Sequence, residues 1–157
     1  MKKLKNPYLD MPGYNCFGCA EDNKCGLQMK FYEDGEKIVS TWKPKEHLQG
    51  YFDILHGGVQ ATMMDEIASW VVFIKLETAG VTSQMEVKYK RPIYTNRGSL
   101  QLEASLVKMK RNIAIIAASI FNSDGKLASE ATLHYFTFPK QKAESKLKYP
   151  GIGEFYE

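Results

Sequence analysis

The chain has 157 residues, 44% of them hydrophobic and 25% charged, which fits one globular core of ordinary size and argues against disorder. A formal net charge of only +3 argues against a nucleic-acid binder. Basic Met1-Lys2-Lys3-Leu4-Lys5 runs into Asn6-Pro7-Tyr8-Leu9-Asp10 rather than an apolar segment, and no stretch nears the roughly 20 apolar residues of a membrane span. Neither a signal peptide nor a membrane segment is read, and a cytoplasmic protein is expected.

In chain order, residues 1–26 read as a lead-in segment holding all three cysteines, Cys16, Cys19 and Cys25. Cys16-x-x-Cys19 followed by Cys25 is half of a zinc pattern, but no second Cys-x-x-Cys exists and a fourth ligand would have to be His47 or another distant residue. No metal and no cofactor are expected. An odd cysteine count without a signal peptide also argues against a disulfide framework. Leu27–Tyr32 and Lys37–Trp42 read as a hairpin about Glu33-Asp34-Gly35-Glu36, because Asp-Gly favours a tight turn. Residues 47–55 form a loop into a helix from Gly58 to Leu76, a run without Pro or further Gly that spans about 30 Å.

Four strands follow: Val81–Lys90, stopped by Arg91-Pro92; Ser99–Lys108; Asn112–Asn122; and, after the Asp124-Gly125 turn, Leu127–Phe138. Residues 140–157 read as a polar tail or an arm packing on a partner. Two strands, a long helix and four strands predict an α+β fold, one antiparallel sheet curled around a central helix, with the main domain over residues 27–139.

The helix carries the chemistry. Val59, Met63, Ile67, Trp70 and Ile74 make one apolar stripe, and Ala61, Ala68 and Val72 extend it round the other side, so the helix should be buried. Asp65 falls beside Ala61, Ala68 and Val72, where a carboxylate is costly unless it is paired or used. The helix opens on His56-Gly57-Gly58. Its free N–H groups and dipole favour an anion, and the glycines permit close approach of a ligand. Oxyanion donors plus an acid that activates water suit hydrolysis of an acyl group. Nine residues along one helix separate the two by about 13 Å, so the acid should come from a second copy of the chain. A homodimer, or a dimer of dimers, with its site at the interface is expected.

His56-Gly57-Gly58, the acid Asp65 nine residues after the His, and Thr82-x-x-Met85-x-Val87-x-Tyr89-x-Arg91-Pro92 together resemble the PaaI-like branch of the hotdog-fold acyl-CoA thioesterases. The segment from Cys16-Phe17-Gly18-Cys19 to Asn23 and Gly26-Leu27 is similar to the lead-in of a subset of that branch. The motifs run in the family's order over roughly residues 15–138. The resemblance implies a sheet of five to six strands wrapped around the helix, an acyl-CoA substrate, and Asp65 as general base or nucleophile. It implies an oxyanion hole from the Gly57 or Gly58 amide, with His56 fixing the turn. Thr82 is implied to orient water or substrate, and Gln49 to replace a side-chain amide that hydrogen-bonds the thioester. Tyr51-Phe52-Asp53 departs from the small Gly/Pro-rich run usual before the motif.

Lys88, Lys90 and Arg91, with Lys108, Lys110 and Arg111, are candidates for the CoA phosphates. Glu66 reads as a supporting or exposed acid. Two other functions compete: an acyl-thioester hydratase or dehydratase, which would pair a His with an acid differently, and a non-catalytic acyl-CoA-binding module.

Overall fold

The structure is a computed structural model describing residues 1–157. Seven strands form a single antiparallel sheet: β1 (Lys2–Lys3), β2 (Tyr32–Asp34), β3 (Lys37–Trp42), β4 (Gly80–Tyr89), β5 (Leu100–Lys110), β6 (Ile113–Phe121) and β7 (Leu127–Thr137). Their spatial order is β1-β2-β3-β5-β6-β7-β4. Helix α1 (Gly57–Lys75) lies against the sheet's inner face and touches β3 to β7. This is the hotdog arrangement, an antiparallel sheet with a central helix.

The inner face is built to receive the helix. Ala104 pairs with Ala118, and Ala118 with Ala131, so three strands present one row of alanines beneath it. Met63, Met64, Ile67, Ala68, Val71 and Val72 of α1 are fully buried above the sheet. Trp70 stacks on Phe31 with ring centroids 4.6 Å apart. Small residues on the sheet and large ones on the helix interdigitate at the density of a protein interior.

Three backbone contacts fix where α1 begins. Leu55 N–H donates to Ile93 O at 2.8 Å, His56 N–H to Leu48 O at 3.0 Å, and Ile54 bridges Tyr94. At the other end Lys75 forms an ion pair with Glu33 of β2 and also donates to Gly35 O at 2.7 Å. A cation in the last turn complements the helix dipole as well.

Three sequence expectations are corrected. The sheet has seven strands, not five or six, because Lys2–Lys3 adds an outer strand to the β2 edge. The expected strand Leu27–Tyr32 shrinks to Tyr32–Asp34: Gln28 adopts φ 55°, which breaks extended geometry. The segment before it instead bonds the lead-in, Leu27 N–H to Phe17 O and Met29 N–H to Gly18 O. Residues 140–157 pack on their own chain, through helix α2 (Lys140–Leu147) and the buried Tyr149 and Phe155, whose ring stacks 5.5 Å from Phe73 of α1. No helix is long and apolar enough to cross a membrane.

Candidate active site

At the start of α1, His56 is the N-cap, and its Nδ1 accepts a hydrogen bond from Gly58 N–H at 2.9 Å. A ring nitrogen acting as acceptor fixes the tautomer and consumes the Gly58 donor. The Gly57 N–H, by contrast, donates to no atom of the chain. Its carbonyl is held from the far side by the Tyr89 hydroxyl at 2.7 Å. Tyr89 thus ties the helix start to the end of β4 and leaves one oriented, unpaired N–H where the positive end of the helix dipole is strongest.

Asp65, about two turns on, is partly buried. Its Oδ1 accepts from the Thr82 hydroxyl at 2.6 Å and lies 2.6 Å from the Tyr135 hydroxyl, which is also 2.6 Å from the Asp65 carbonyl. Oδ2 has no partner within the chain. One oxygen is anchored and the other is free to meet a water or a substrate carbon. Burial first, and the neighbouring Asp65 charge second, raise the Tyr135 pKa, so this phenol stays a donor. Thr82 and Tyr135 are cross-strand partners, and the β4–β7 ladder has a bulge at Ser83 directly beside them.

The other expected residues do not gather here within one chain. Gln49 Oε1 accepts from Asp53 N–H at 2.9 Å and so shapes the loop before the helix. Lys90 pairs with Glu130 at 3.1 Å, and Arg91 Nη1 donates to the Leu127 carbonyl at 2.7 Å. Lys88 is exposed on β4 without an ion pair. Lys108 and Lys110 end β5, and Arg111 turns into β6 with φ 56°. That turn sits beside the Gly80 end of β4, since Asn112 O accepts from Thr137 and Thr137 pairs with Gly80. Lys88 pairs with Glu130, seven residues along β7 from Thr137, roughly 23 Å away at strand rise. The two basic groups therefore occupy opposite ends of the sheet.

Sequence reasoning missed Tyr135, the tie from Tyr89 to Gly57 and the setting of Glu66. The first had a readable signal. Ala131, Leu133 and Tyr135 share the inward face of β7, and a phenol on an apolar face must find a partner for its hydroxyl. Glu66 points away from Asp65 toward the lead-in, where the Cys16 thiol lies 3.6 and 3.7 Å from its two oxygens. Burial, then the Cys16 charge, push the Glu66 carboxyl up to about 7. A hydrogen bond from Cys19 pulls the Cys16 thiol down to about 5, against the effect of burial. Cys19, buried and with its thiol beside that of Cys16, is raised.

The chain matches known proteins over this region. The sequence model of the thioesterase superfamily matches residues 52–129, from the approach to α1 into β7. Among solved structures, the chain is similar to a hypothetical thioesterase from Streptococcus pneumoniae solved with coenzyme A, at 24% identity and TM-score 0.66, covering 71% of this chain and 90% of that one. Forms of that protein with an aspartate or a threonine changed to alanine also match. A Streptococcus mutans protein bound to acetyl-CoA matches at 18% identity and TM-score 0.66, covering 83% and 98%. A Haemophilus influenzae thioesterase matches at 21% identity and TM-score 0.63, covering 71% and 79%. These likenesses are of fold. No curated protein matches the sequence. From its sequence match and its architecture, the chain belongs to the thioesterase superfamily.

Proposed function

We propose that the protein is an acyl-CoA thioesterase of the PaaI-like branch, working as a homodimer with two sites shared across the interface. The observation that carries this reading is the edge position of β4. It is ten residues long, paired with β7 on one side only, and exposed at Val81, Thr82 and Tyr89. Edge strands with free N–H and C=O groups pair with a second copy. Gly57 is tied to Tyr89 at one end of β4, and Asp65 to Thr82 at the other. Antiparallel pairing of two copies about Met85 and Glu86 sets Tyr89 opposite the partner's Thr82. The free Gly57 N–H then faces the partner's Asp65, which the span along a single helix forbids. The same pairing joins the Lys88 end of one protomer to the Arg111 end of the other, a basic path for CoA phosphates.

In this reading the thioester carbonyl oxygen accepts from Gly57 N–H. Asp65 Oδ2 of the other subunit takes a proton from water as the water oxygen attacks the carbonyl carbon. Charge gathers on the carbonyl oxygen, where the amide and helix dipole stabilise it. The C–S bond then breaks, CoA leaves as a thiolate, and the free acid departs. Direct attack by Asp65, forming an anhydride that water then opens, uses the same geometry. The coenzyme A and acetyl-CoA seen in two of the similar structures support the substrate class.

Mixing two dead variants tests the reading. Asp65→Asn lacks the acid. Gly57→Pro lacks the N–H yet suits the first helical position, with His56 already extended at ψ 133° before it. Each alone should be inactive in thiol release from acyl-CoA. Unfolded and refolded together at equal amounts, half the dimers are mixed and each holds one complete site, so about one quarter of wild-type activity should return. No recovery from correctly dimeric mixtures would sink the shared-site mechanism. No turnover by the wild type on any acyl-CoA would sink the activity itself.

A further inference from the structure

We propose that Cys16, Cys19 and Glu66 form a binding site for one zinc-class divalent cation, with a fourth coordination position open to a neighbouring cavity. The two thiol sulfurs and a Glu66 carboxylate oxygen all lie within 4.8 Å of one another. Zinc bonds of about 2.3 Å to sulfur and 2.0 Å to oxygen, at tetrahedral angles, place a sulfur and an oxygen about 3.5 Å apart. Cys16 Sγ stands 3.6 and 3.7 Å from the Glu66 oxygens, so only small side-chain movements separate this arrangement from a ligand set.

The local chain is shaped to bring these groups together. Cys16 and Cys19 lie on one turn, closed by Ala20 N–H donating to Cys16 O at 3.2 Å. Between them, a Cβ at Gly18 would collide with the Glu66 carboxylate, so only glycine lets the acid of α1 reach the sulfurs. Donors surround both sulfurs. Gly18 N–H lies 3.3 Å from Cys16 Sγ, while the Asn6 amide and the Tyr14 hydroxyl lie 3.4 and 3.0 Å from Cys19 Sγ. Donors aimed at sulfur are the outer-shell contacts that hold and tune metal-bound thiolates.

Charge points the same way. Glu66 forms no ion pair with any Lys, Arg or His, and Lys148, which lines the same cavity, does not reach it. A carboxyl held against two thiols with no cationic side chain beside it offers three ligand atoms to an ion. Soft sulfur ligands select zinc over magnesium or calcium. The cavity, about 430 Å³ and walled by Tyr8, Met11, Phe73 and Leu147 besides the three ligands, admits a water as the fourth ligand. Cys25 is exposed and outside the cluster, so the third ligand is the helix acid and not the third cysteine.

The test uses the full chain with its thiols reduced, titrated first with cobalt(II) and then with zinc. The expected result is one ion per chain by metal analysis, with a thiolate-to-cobalt charge-transfer absorption that zinc abolishes. Cys16→Ser and Cys19→Ser should remove the absorption, and Cys25→Ser should leave it intact. Glu66→Gln, which keeps both thiols and nearly the same shape, should weaken binding at least about 10-fold and covers the case of serine variants that do not fold. Absence of the absorption in reduced wild-type protein overturns the site, as does binding that survives Cys16→Ser. Recovery of a Cys16–Cys19 disulfide in place of bound metal also overturns it. All readouts are independent of thioester hydrolysis, so the two proposals stand or fall separately.

Discussion

Thr82 and Tyr135 face each other across the β4–β7 ladder, and both hydroxyls lie 2.6 Å from Asp65 Oδ1. They share a face only because Ser83 is bulged. Met85 opposite Leu133 and Val87 opposite Ala131 point inward, and strict alternation from them would turn Thr82 outward beside Gln84. The extra residue resets the parity. Ser83 itself is anchored through its hydroxyl to the His134 carbonyl at 2.9 Å.

Deleting Ser83 should cost less activity than deleting the Thr82 hydroxyl. Gln84 faces outward opposite His134, so a residue joined directly to it faces inward, and Thr82 keeps its place opposite Tyr135. We expect turnover above that of Thr82→Ala, with the circular dichroism of the sheet retained. Turnover at or below that of Thr82→Ala would show that the bulge itself, and not only the Thr82 hydroxyl, places the acid.

Replacing Tyr135 with Phe removes one donor and keeps the ring's packing. The carboxylate of Asp65 then loses part of its anchor, and kcat should fall about 10-fold or more with KM nearly unchanged, since the effect lies in aiming the acid. Because Thr82 holds the same oxygen, the Tyr135→Phe, Thr82→Ala double variant should depart from additivity. Steady-state kinetics on the four proteins of the cycle decides it; a purely additive cycle would mean the two hydroxyls act apart.

On the proposed mechanism, Asp65→Asn should lower kcat by about 10² to 10⁴, while binding of a non-hydrolysable CoA thioether stays within a few-fold of wild type. The neutral amide can still accept from Thr82 and Tyr135, so the fold should persist. Near-normal turnover would remove Asp65 from the chemistry.

Acid should weaken the fold through Glu33. Burial alone would raise its pKa, but hydrogen bonds from Lys75 and Tyr156 and the Lys75 charge outweigh it, and the folded value is lowered. A carboxyl whose folded pKa is below its unfolded value, about 4.3, stabilises the fold above that value. The contribution is lost as pH falls through the folded pKa. Glu33→Gln should be less stable than wild type by about 1 kcal/mol near neutral pH, and the gap should close below about pH 4. Urea midpoints measured across that range check it; parallel profiles would show that the pair contributes nothing.

The local features were readable because neighbours in sequence determine them. The bounds of α1 followed from an unbroken helical run after Gly57-Gly58, and the hairpins from Asp34-Gly35 and Asp124-Gly125. Asp65 stood out as a charge on an apolar helix. Features set by distant contacts stayed hidden. Tyr135 reaches Asp65 across seventy residues of chain, and Glu66 meets Cys16 across fifty. Only the folded lead-in explains why Leu27–Phe31, strand-like by composition, gives its backbone to Phe17 and Gly18. Tail packing was unreadable for the same reason: its polar composition masked the buried Tyr149 and Phe155.

The row Ala104, Ala118 and Ala131 has a reach beyond its own contacts. Those three methyl groups form the floor on which α1 rests, and the helix carries Asp65 as a rigid passenger. The height of the acid above its two hydroxyls is therefore a volume on the sheet floor, adjustable one methylene at a time without altering any reacting group.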